Sequence, residues 1–177
     1  TLLSLIAGFD DPVSGRISIG GADMEDVAPD QRPVSMIFQD HNSFAHLDVW
    51  TNVALGISAD LKLDTQQHER VDEALTRVGL SDFKARKATE LSGGERQRIA
   101  IARALVRDKP VLLLDEPFTA LGPALRRDML DLIREIQVER KLTILMVTHQ
   151  PEDARYAASR IAFVQNGRIA HVLPTKQ

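Results

Sequence analysis

The chain has 177 residues, of which 44% are hydrophobic and 27% are charged, and its formal net charge is −3. This length suits one domain, or one core domain with an inserted subdomain. The acidic balance argues against nucleic acid as a partner, because such a partner usually requires a basic surface. The lack of cysteine excludes disulfides and thiolate metal sites. No apolar run approaches the roughly 20 residues that span a bilayer, and no secretory signal opens the chain, so we expect a cytoplasmic protein.

The first forty residues predict one helix and two short strands. Thr1–Ala7 is an apolar run typical of a helix, which Gly8 can terminate. Arg16–Ile19 alternates like an edge strand, and Val34–Phe38 predicts a second strand that leads into Gln39. Because the helix begins at the first residue, we expect the sequence to be truncated at its N-terminus.

Helical patterns dominate the next part of the chain. Thr65–Val78 places its apolar residues on one face, and Gly79 can end that helix. Ser81 is expected to cap a short helix, and Glu95–Val106 predicts a longer one. The segment 41–107 is therefore interpreted as a helical insertion in an α/β core.

After residue 110, strands and helices alternate, which predicts a parallel sheet covered by helices. Val111–Leu114 is apolar throughout, and we expect both it and Leu142–Val147 to be buried strands. The helices Ala124–Arg140 and Pro151–Ala158 follow these strands. A hairpin with a two-residue turn is expected from Ile161–Val164, Asn166-Gly167 and Arg168–Val172.

Two adjacent carboxylates, Asp115 and Glu116, directly follow the first of these buried strands. At the carboxyl end of a parallel strand, both side chains can reach the crevice in which α/β sheets bind ligands. Asp115 suits a water-mediated contact with Mg²⁺, and Glu116 suits orienting or deprotonating an attacking water. An ordinary acidic loop is the competing interpretation, which the apolar strand before the pair and the proline after it disfavour.

The turn Ser92-Gly93-Gly94 precedes a predicted helix, whose N-terminus offers free N–H groups and a partial positive charge. Glycines let the backbone approach an anion closely, and the serine hydroxyl adds a donor, so the turn suits a phosphate group. A plain helix cap with a flexible turn is the alternative. The neighbouring Leu91, Glu95 and Gln97 make the motif much more specific than that.

Two further polar residues follow predicted strands. Gln39 could ligate Mg²⁺ or water through its amide oxygen, and His149 could hydrogen-bond a γ-phosphate. By residue type alone, a surface glutamine and a structural histidine are the more common outcomes. Gln39 precedes the glycine turn and the acid pair, and His149 follows them. This order favours a functional role for both residues, which their residue types alone do not.

Taken in chain order, these motifs resemble the Q-loop, signature, Walker B and switch histidine of the ATP-binding cassette (ABC) ATPases. The segment that resembles the signature is Leu91-Ser92-Gly93-Gly94-Glu95-Arg96-Gln97. The resemblance covers essentially the whole chain. It implies an α/β fold of the P-loop NTPase (RecA-like) type, with a mostly parallel sheet, an inserted α-helical subdomain and an N-terminal β-subdomain that is largely missing. Residues 1–40 and 108–177 would belong to the core, and residues 41–107 would form the helical subdomain with the signature motif.

The resemblance also implies ATP hydrolysis, with ATP and Mg²⁺ held between two copies of the chain. Glu116 and His149 would be the catalytic residues, and Asp115 and Gln39 would serve the metal. Contacts with ATP would come from Thr1, Gln39, Ser92, Gly93, Gly94 and Gln97. Because the signature motif acts across the dimer, the glycine turn of one subunit would close on the ATP of the other.

Two departures from the family pattern stand out. Thr1–Gly8 matches the helix that follows the phosphate loop in the family, so this loop would lie just before the first residue, and the chain alone is expected to bind ATP poorly. Gly122 stands where the family usually has an aspartate that communicates across the dimer interface. Both departures leave open a non-catalytic, regulatory module that dimerises with nucleotide.

The segments Arg32–Gln39 and Asn52–Gly56 resemble those of bacterial importers for polyamines, sulfate, iron and thiamine, and thiamine or a thiamine phosphate is the substrate that we favour. This resemblance implies a transmembrane permease, which Phe44 would contact, and indirectly a periplasmic substrate-binding protein. Trp50 would either join that contact or pack internally. The subunit would then lie peripherally on the cytoplasmic face of the inner membrane.

Overall fold

The centre of the fold is a three-stranded parallel sheet. The computed structural model describes residues 1–38, 44–119 and 121–175. Its sheet has the strand order β3 (Val34–Ile37), β4 (Val111–Asp115), β5 (Thr143–Val147). Asp115, the last residue of β4, is in register with Val147, the last residue of β5. The residues that follow these two strands are therefore brought to the same edge of the sheet.

Helices pack around this sheet, and two antiparallel strand pairs form sheets of their own. The described α-helices are α1 (Leu2–Ala7), α2 (Val49–Ala54), α3 (Thr65–Arg77), α4 (Gly93–Arg107), α5 (Pro123–Arg140) and α6 (Pro151–Ala157). Two antiparallel pairs complete the description: β1 (Ser18–Ile19) with β2 (Ala22–Asp23), and β6 (Arg160–Gln165) with β7 (Arg168–Pro174). The predicted parallel α/β fold is thus confirmed.

The side chains of β4 divide the core between the two faces of the sheet, because successive strand residues point in opposite directions. Leu113 packs with Leu3 and Ala7 of α1 on one face. Leu112 and Leu114 join a larger apolar cluster on the other face, to which α2, α3, α4 and α5 contribute. The helical segment therefore packs directly on the sheet, and its separation as a subdomain stays a prediction.

Arginine side chains tie helices α2, α3 and α4 together by donating to backbone carbonyls at helix ends. Arg98 of α4 donates to the carbonyl of Val78 at 3.1 Å, and Arg70 of α3 donates to that of Val106 at 2.7 Å. Arg103 of α4 donates to the carbonyl of Asn52 at 2.9 Å. These carbonyls have no partner within their own helices, so each guanidinium satisfies a group that would otherwise be buried without one.

Most helix and strand boundaries lie within two residues of their predicted positions. Gly8 ends α1 in the left-handed conformation, with φ of 86°. The hairpin turn has positive φ at both Asn166 and Gly167, as the asparagine–glycine pair predicts.

Three local predictions are wrong. Ser81 does not cap the next helix; it is the first residue of a 3₁₀ turn, and its hydroxyl lies 2.9 Å from that of Thr76. The strand predicted at Arg16–Ile19 is shorter, since pairing starts at Ser18. Strand β5 is only partly buried because it is the last strand of the described sheet.

Within the described residues, no helix is long and apolar enough to cross a membrane.

Candidate functional site

The acid pair lies at the edge of the sheet where β4 and β5 end. Asp115 closes β4, and Glu116 has φ of 45°, a left-handed conformation that is uncommon for residues other than glycine. The Glu116 N–H donates to the carbonyl of Val147 at 3.0 Å, which extends the contact between the two strands by one residue. Backbone strain of this kind is concentrated at functional sites, where it fixes the direction of a side chain.

Glu116 and His149 form the main side-chain contact of this site. His149 Nδ1 lies 3.0 Å from Glu116 Oε2, and the side chains are 53% and 30% exposed, respectively. The Thr119 hydroxyl adds a longer contact of 3.4 Å to the same carboxylate oxygen. A partly shielded carboxylate held by an imidazole can accept a proton from a bound water. The structure thus brings together two residues that are 33 positions apart.

The residues at the site also fit a magnesium ion that is bound mainly through phosphates. Asp115 is half-buried, and its carboxylate makes no hydrogen bond or ion pair with the described residues. Across residues 1–38, 44–119 and 121–175, no group of three or more His, Cys, Asp or Glu could hold a metal by itself. Mg²⁺ usually takes one or two carboxylates together with waters and substrate phosphates. Asp115 could therefore supply the protein part of such a site.

The glycine turn at the start of α4 is organised by a capping box. The Ser92 hydroxyl accepts from the Glu95 N–H at 3.4 Å, while Glu95 Oε2 accepts from both the backbone N–H and the hydroxyl of Ser92 at 2.7 Å. These contacts lower the pKa of the Glu95 carboxyl, with the hydroxyl as the main cause. Ser92 is exposed and Gly93 is partly exposed, whereas Gly94 is buried. As first-turn residues of α4, both glycines have N–H groups without a partner inside the helix.

The two glycines of the turn have different surroundings. A Cβ at Gly93 would meet no atom within 4 Å, so the backbone there is open to a ligand. A Cβ at Gly94 would lie 2.2 Å from Cδ2 of Leu125, in the first turn of α5. A side chain at Gly94 would therefore displace Leu125, and Gly93 is the glycine that faces open space.

We predict that Gly94→Ala lowers the free energy of unfolding by about 1–2 kcal/mol relative to Gly93→Ala, because overpacking displaces Leu125. The two variants carry the same chemical change at adjacent positions of one helix, so denaturant titration compares them directly. Adding Leu125→Ala should remove the difference between the two glycine variants. Equal stabilities of Gly93→Ala and Gly94→Ala would show that Leu125 moves aside without cost.

Gln97 is the predicted contact that the structure does not support. Its side chain is 0% exposed, and neither amide atom has a hydrogen-bond partner among the described residues. The amide of Gln97 is enclosed in the core of the described structure, so a contact with nucleotide stays a prediction that this burial disfavours. The motif placed Gln97 beside the turn, but the helical repeat directs it towards the core.

The other predicted site residues remain predictions. Gln39 lies outside the described residues. Thr1 is exposed at the start of α1. Gly122 is the residue before α5 and has an ordinary φ of −65° with open space around it, so nothing in the backbone there requires glycine.

Sequence reasoning missed a buried carboxylate on α6 that interacts electrostatically with His149. Asp153 is buried in the first turn of α6, and burial raises the pKa of its carboxyl, while Arg126 and His149 act in the opposite direction. Arg126 donates to the carbonyl of Leu121, in the loop that follows the acid pair. Nothing in the local sequence indicates this arrangement, because it depends on the packing of α6 against α5.

A parallel α/β sheet with an acid pair and a histidine at adjoining strand ends is consistent with the class of the P-loop NTPases. A solved dimer of an ATP-binding cassette, in a post-hydrolysis state with ADP and Pi, superposes on the chain with a TM-score of 0.84 at 27% identity. The match covers 99% of this chain and 80% of that one. The fold class predicted from the sequence is confirmed.

Sequence comparisons identify the family. A family model described as ABC transporter matches residues 1–119. A relative named "Thiamine import ATP-binding protein ThiQ" from Mesorhizobium japonicum is 56% identical over 170 residues, which are 96% of this chain and 67% of the relative. A relative of the same name from Photobacterium profundum is 48% identical over 177 residues, or 100% of this chain and 73% of the relative. The chain belongs to the ABC transporter family, among its ATP-hydrolysing subunits.

Proposed function

We propose that this chain drives the uptake of thiamine, or of a thiamine phosphate, by hydrolysing ATP between two copies of itself. The observation that carries the choice of substrate is the 56% identity over 170 residues to a relative named as a thiamine import ATP-binding protein. Transport of another solute, such as a polyamine, sulfate or iron, is the alternative outcome of the uptake experiment described below. The similarity to a dimeric cassette supports the assembly of two subunits.

In this proposal, Glu116 accepts a proton from the water that attacks the γ-phosphate. His149 keeps the carboxylate in place through Nδ1, and in its doubly protonated form it would also donate from its second ring nitrogen to a phosphate oxygen. This division of roles is supported by the 3.0 Å contact between the two side chains. Mg²⁺, next to Asp115, would neutralise charge on the phosphates.

The glycine turn of the second copy completes the site in this proposal. Exposed Ser92 and the open backbone at Gly93 would meet the phosphates held by the partner subunit, and the positive end of α4 favours that contact. Gly94 contributes its N–H group while its Cα packs on Leu125. Each subunit would therefore supply half of each site.

The proposed partners are a transmembrane permease and, through it, a periplasmic substrate-binding protein. Phe44, which is 46% exposed, is the proposed contact with the permease. Trp50 is half-buried and stacks on His68 with ring centroids 4.9 Å apart, so it belongs at least partly to the packing of α2 on α3. The subunit would lie on the cytoplasmic face of the inner membrane.

Uptake of labelled thiamine by cells that cannot synthesise it tests the proposed substrate. We expect deletion of the gene to abolish uptake, the intact gene to restore it, and the Glu116→Gln variant to fail. Uptake of labelled spermidine and sulfate in the same strains is the control. If uptake of one of these solutes is lost while thiamine uptake persists, the thiamine assignment is wrong, although the ATPase assignment stands.

A further inference from the structure

The side chain of Asn52 organises the backbone around Phe44. Asn52 is fully buried in α2, and its Oδ1 accepts from the Phe44 N–H at 2.8 Å. Its Nδ2 lies within 3.0–3.2 Å of the carbonyls of Phe44, Leu47 and Asp48. A single amide therefore holds the segment that leads from Phe44 into α2.

Arg103 connects this arrangement to α4. Its Nη2 donates to Asn52 Oδ1 at 2.7 Å, and its Nε donates to the Asn52 carbonyl at 2.9 Å. The same guanidinium lies over the Phe44 ring, 5.3 Å from the ring centroid, which is within the range of a cation–π interaction. Arg103 thus contacts both the amide that holds the Phe44 backbone and the ring itself.

These contacts hold an aromatic ring that is not part of the core. Phe44 is 46% exposed, and its recorded ring contacts are with Arg103 and, at 6.4 Å, with His46. A ring that is 46% exposed gains only part of the stabilisation of a core ring, yet its backbone is held by a buried amide and its face by a cation. Such an arrangement suits a side chain that is presented to a partner in a fixed position.

Helix α4 carries the glycine turn at one end and Arg103 near the other. Ten residues separate Gly93 from Arg103, which corresponds to about 15 Å along a helix. Because α4 is one continuous helix, a displacement of the glycine turn would also displace Arg103. The contacts of Arg103 would then transmit the displacement to Asn52 and Phe44.

We propose that Asn52 and Arg103 are positioning residues that fix Phe44 for the permease and couple its position to the glycine turn through α4. This inference rests on the proposed function, in which Phe44 contacts the permease. The pair acts through Phe44 and touches neither nucleotide nor transported solute.

The test measures ATPase activity of the complete subunit, alone and assembled with its permease and substrate-binding protein. We expect Arg103→Lys and Asn52→Asp to reduce the ratio of permease-stimulated to basal activity about fivefold or more, the size of a typical coupling between sites. Lysine keeps the charge but loses the paired contacts of the guanidinium. Aspartate keeps the shape of Asn52 but removes its Nδ2 donor.

Arg98→Lys is the matched control, because Arg98 makes the same kind of carbonyl contact from the same helix without approaching Phe44. It should leave the ratio unchanged. In a Phe44→Ala background, Arg103→Lys should have no further effect on the ratio, a result that a general loss of stability would not produce. If Asn52→Asp does not fold, Arg103→Lys and this double variant decide the question.

The failures of the two proposals are distinguishable. If Phe44→Ala leaves the ratio and thiamine uptake intact, the proposed contact with the permease is wrong. If Phe44→Ala lowers the ratio but Arg103→Lys does not, only the positioning role is overturned. Equal proportional losses of basal and stimulated activity in Arg103→Lys would likewise overturn it, because they indicate a structural defect.

Discussion

Glu116→Gln is expected to lower ATP turnover by about 10²–10⁴-fold, the range attributed to a general base. Glutamine keeps the size of the side chain, and its amide oxygen can still accept from a protonated His149 Nδ1. It cannot take up the proton of the attacking water. Release of phosphate by the dimer of the complete subunit, measured at saturating ATP, gives the turnover directly.

The control for this substitution is Glu152→Gln, which makes the same change on the exposed start of α6, near His149. It should leave turnover close to that of the unchanged protein. ATP affinity should be retained in Glu116→Gln, because the loss concerns the chemical step. Turnover within a few-fold of normal in Glu116→Gln would exclude the general-base role and leave Glu116 as a positioning group.

Residues that follow a simple local rule were predictable from the sequence. An apolar run followed by an acid pair predicted β4 and the position of both carboxylates at its carboxyl end. The asparagine–glycine pair predicted the β6–β7 turn, because both residues tolerate positive φ. These elements are set by side chains and backbone preferences within a few residues, and no distant contact overrides them.

The start of α4 shows how two local rules compete. The sequence predicted a helix that begins at Glu95, whereas α4 begins at Gly93 although glycine has a low helix propensity. The capping box between Ser92 and Glu95 fixes the first turn and outweighs the glycine penalty. The serine and the glutamate three residues later were readable in the sequence as this signal.

The sequence predicted that Glu116 and His149 follow strands of one sheet, but it did not predict which residues of the candidate site are buried. The contact of Glu116 with His149 follows from the strand order, since both residues come after paired strands. The burial of Gln97 and the collision that Leu125 creates at Gly94 depend on how α4 packs on the rest of the chain. Such packing joins residues that are distant in sequence, and one sequence does not specify it.

Arg32→Met is expected to destabilise the protein by about 3 kcal/mol, because it removes charged hydrogen bonds and leaves the carbonyls of Ile6 and Val27 without another donor among the described residues. Arg32 is only 5% exposed, and its guanidinium donates to the carbonyls of Leu5 and Ile6 at the end of α1 at 2.8 and 3.0 Å. It also donates to those of Met24 and Val27 at 3.1 and 2.9 Å. A positive charge at the C-terminus of a helix is favourable in addition.

The fit around Arg32 leaves no room for another side chain at the end of α1. A Cβ at Gly8 would lie 2.6 Å from Arg32 Nε. Arg32→Lys should recover part of the stability, because an ammonium can reach one or two carbonyls but not the full set. Denaturant unfolding followed by the fluorescence of the single tryptophan, Trp50, measures the free energy.

Arg16→Met provides the matched control, because Arg16 is exposed and makes no recorded contact with the described residues. It should change stability by no more than about 0.5 kcal/mol. Hydrogen exchange of the Gly8 and Phe9 amides, which donate to the carbonyl of Ser4, should accelerate in Arg32→Met and not in Arg16→Met. If the two variants are equally stable, the carbonyls around Arg32 find other partners, and the end of α1 does not depend on the guanidinium.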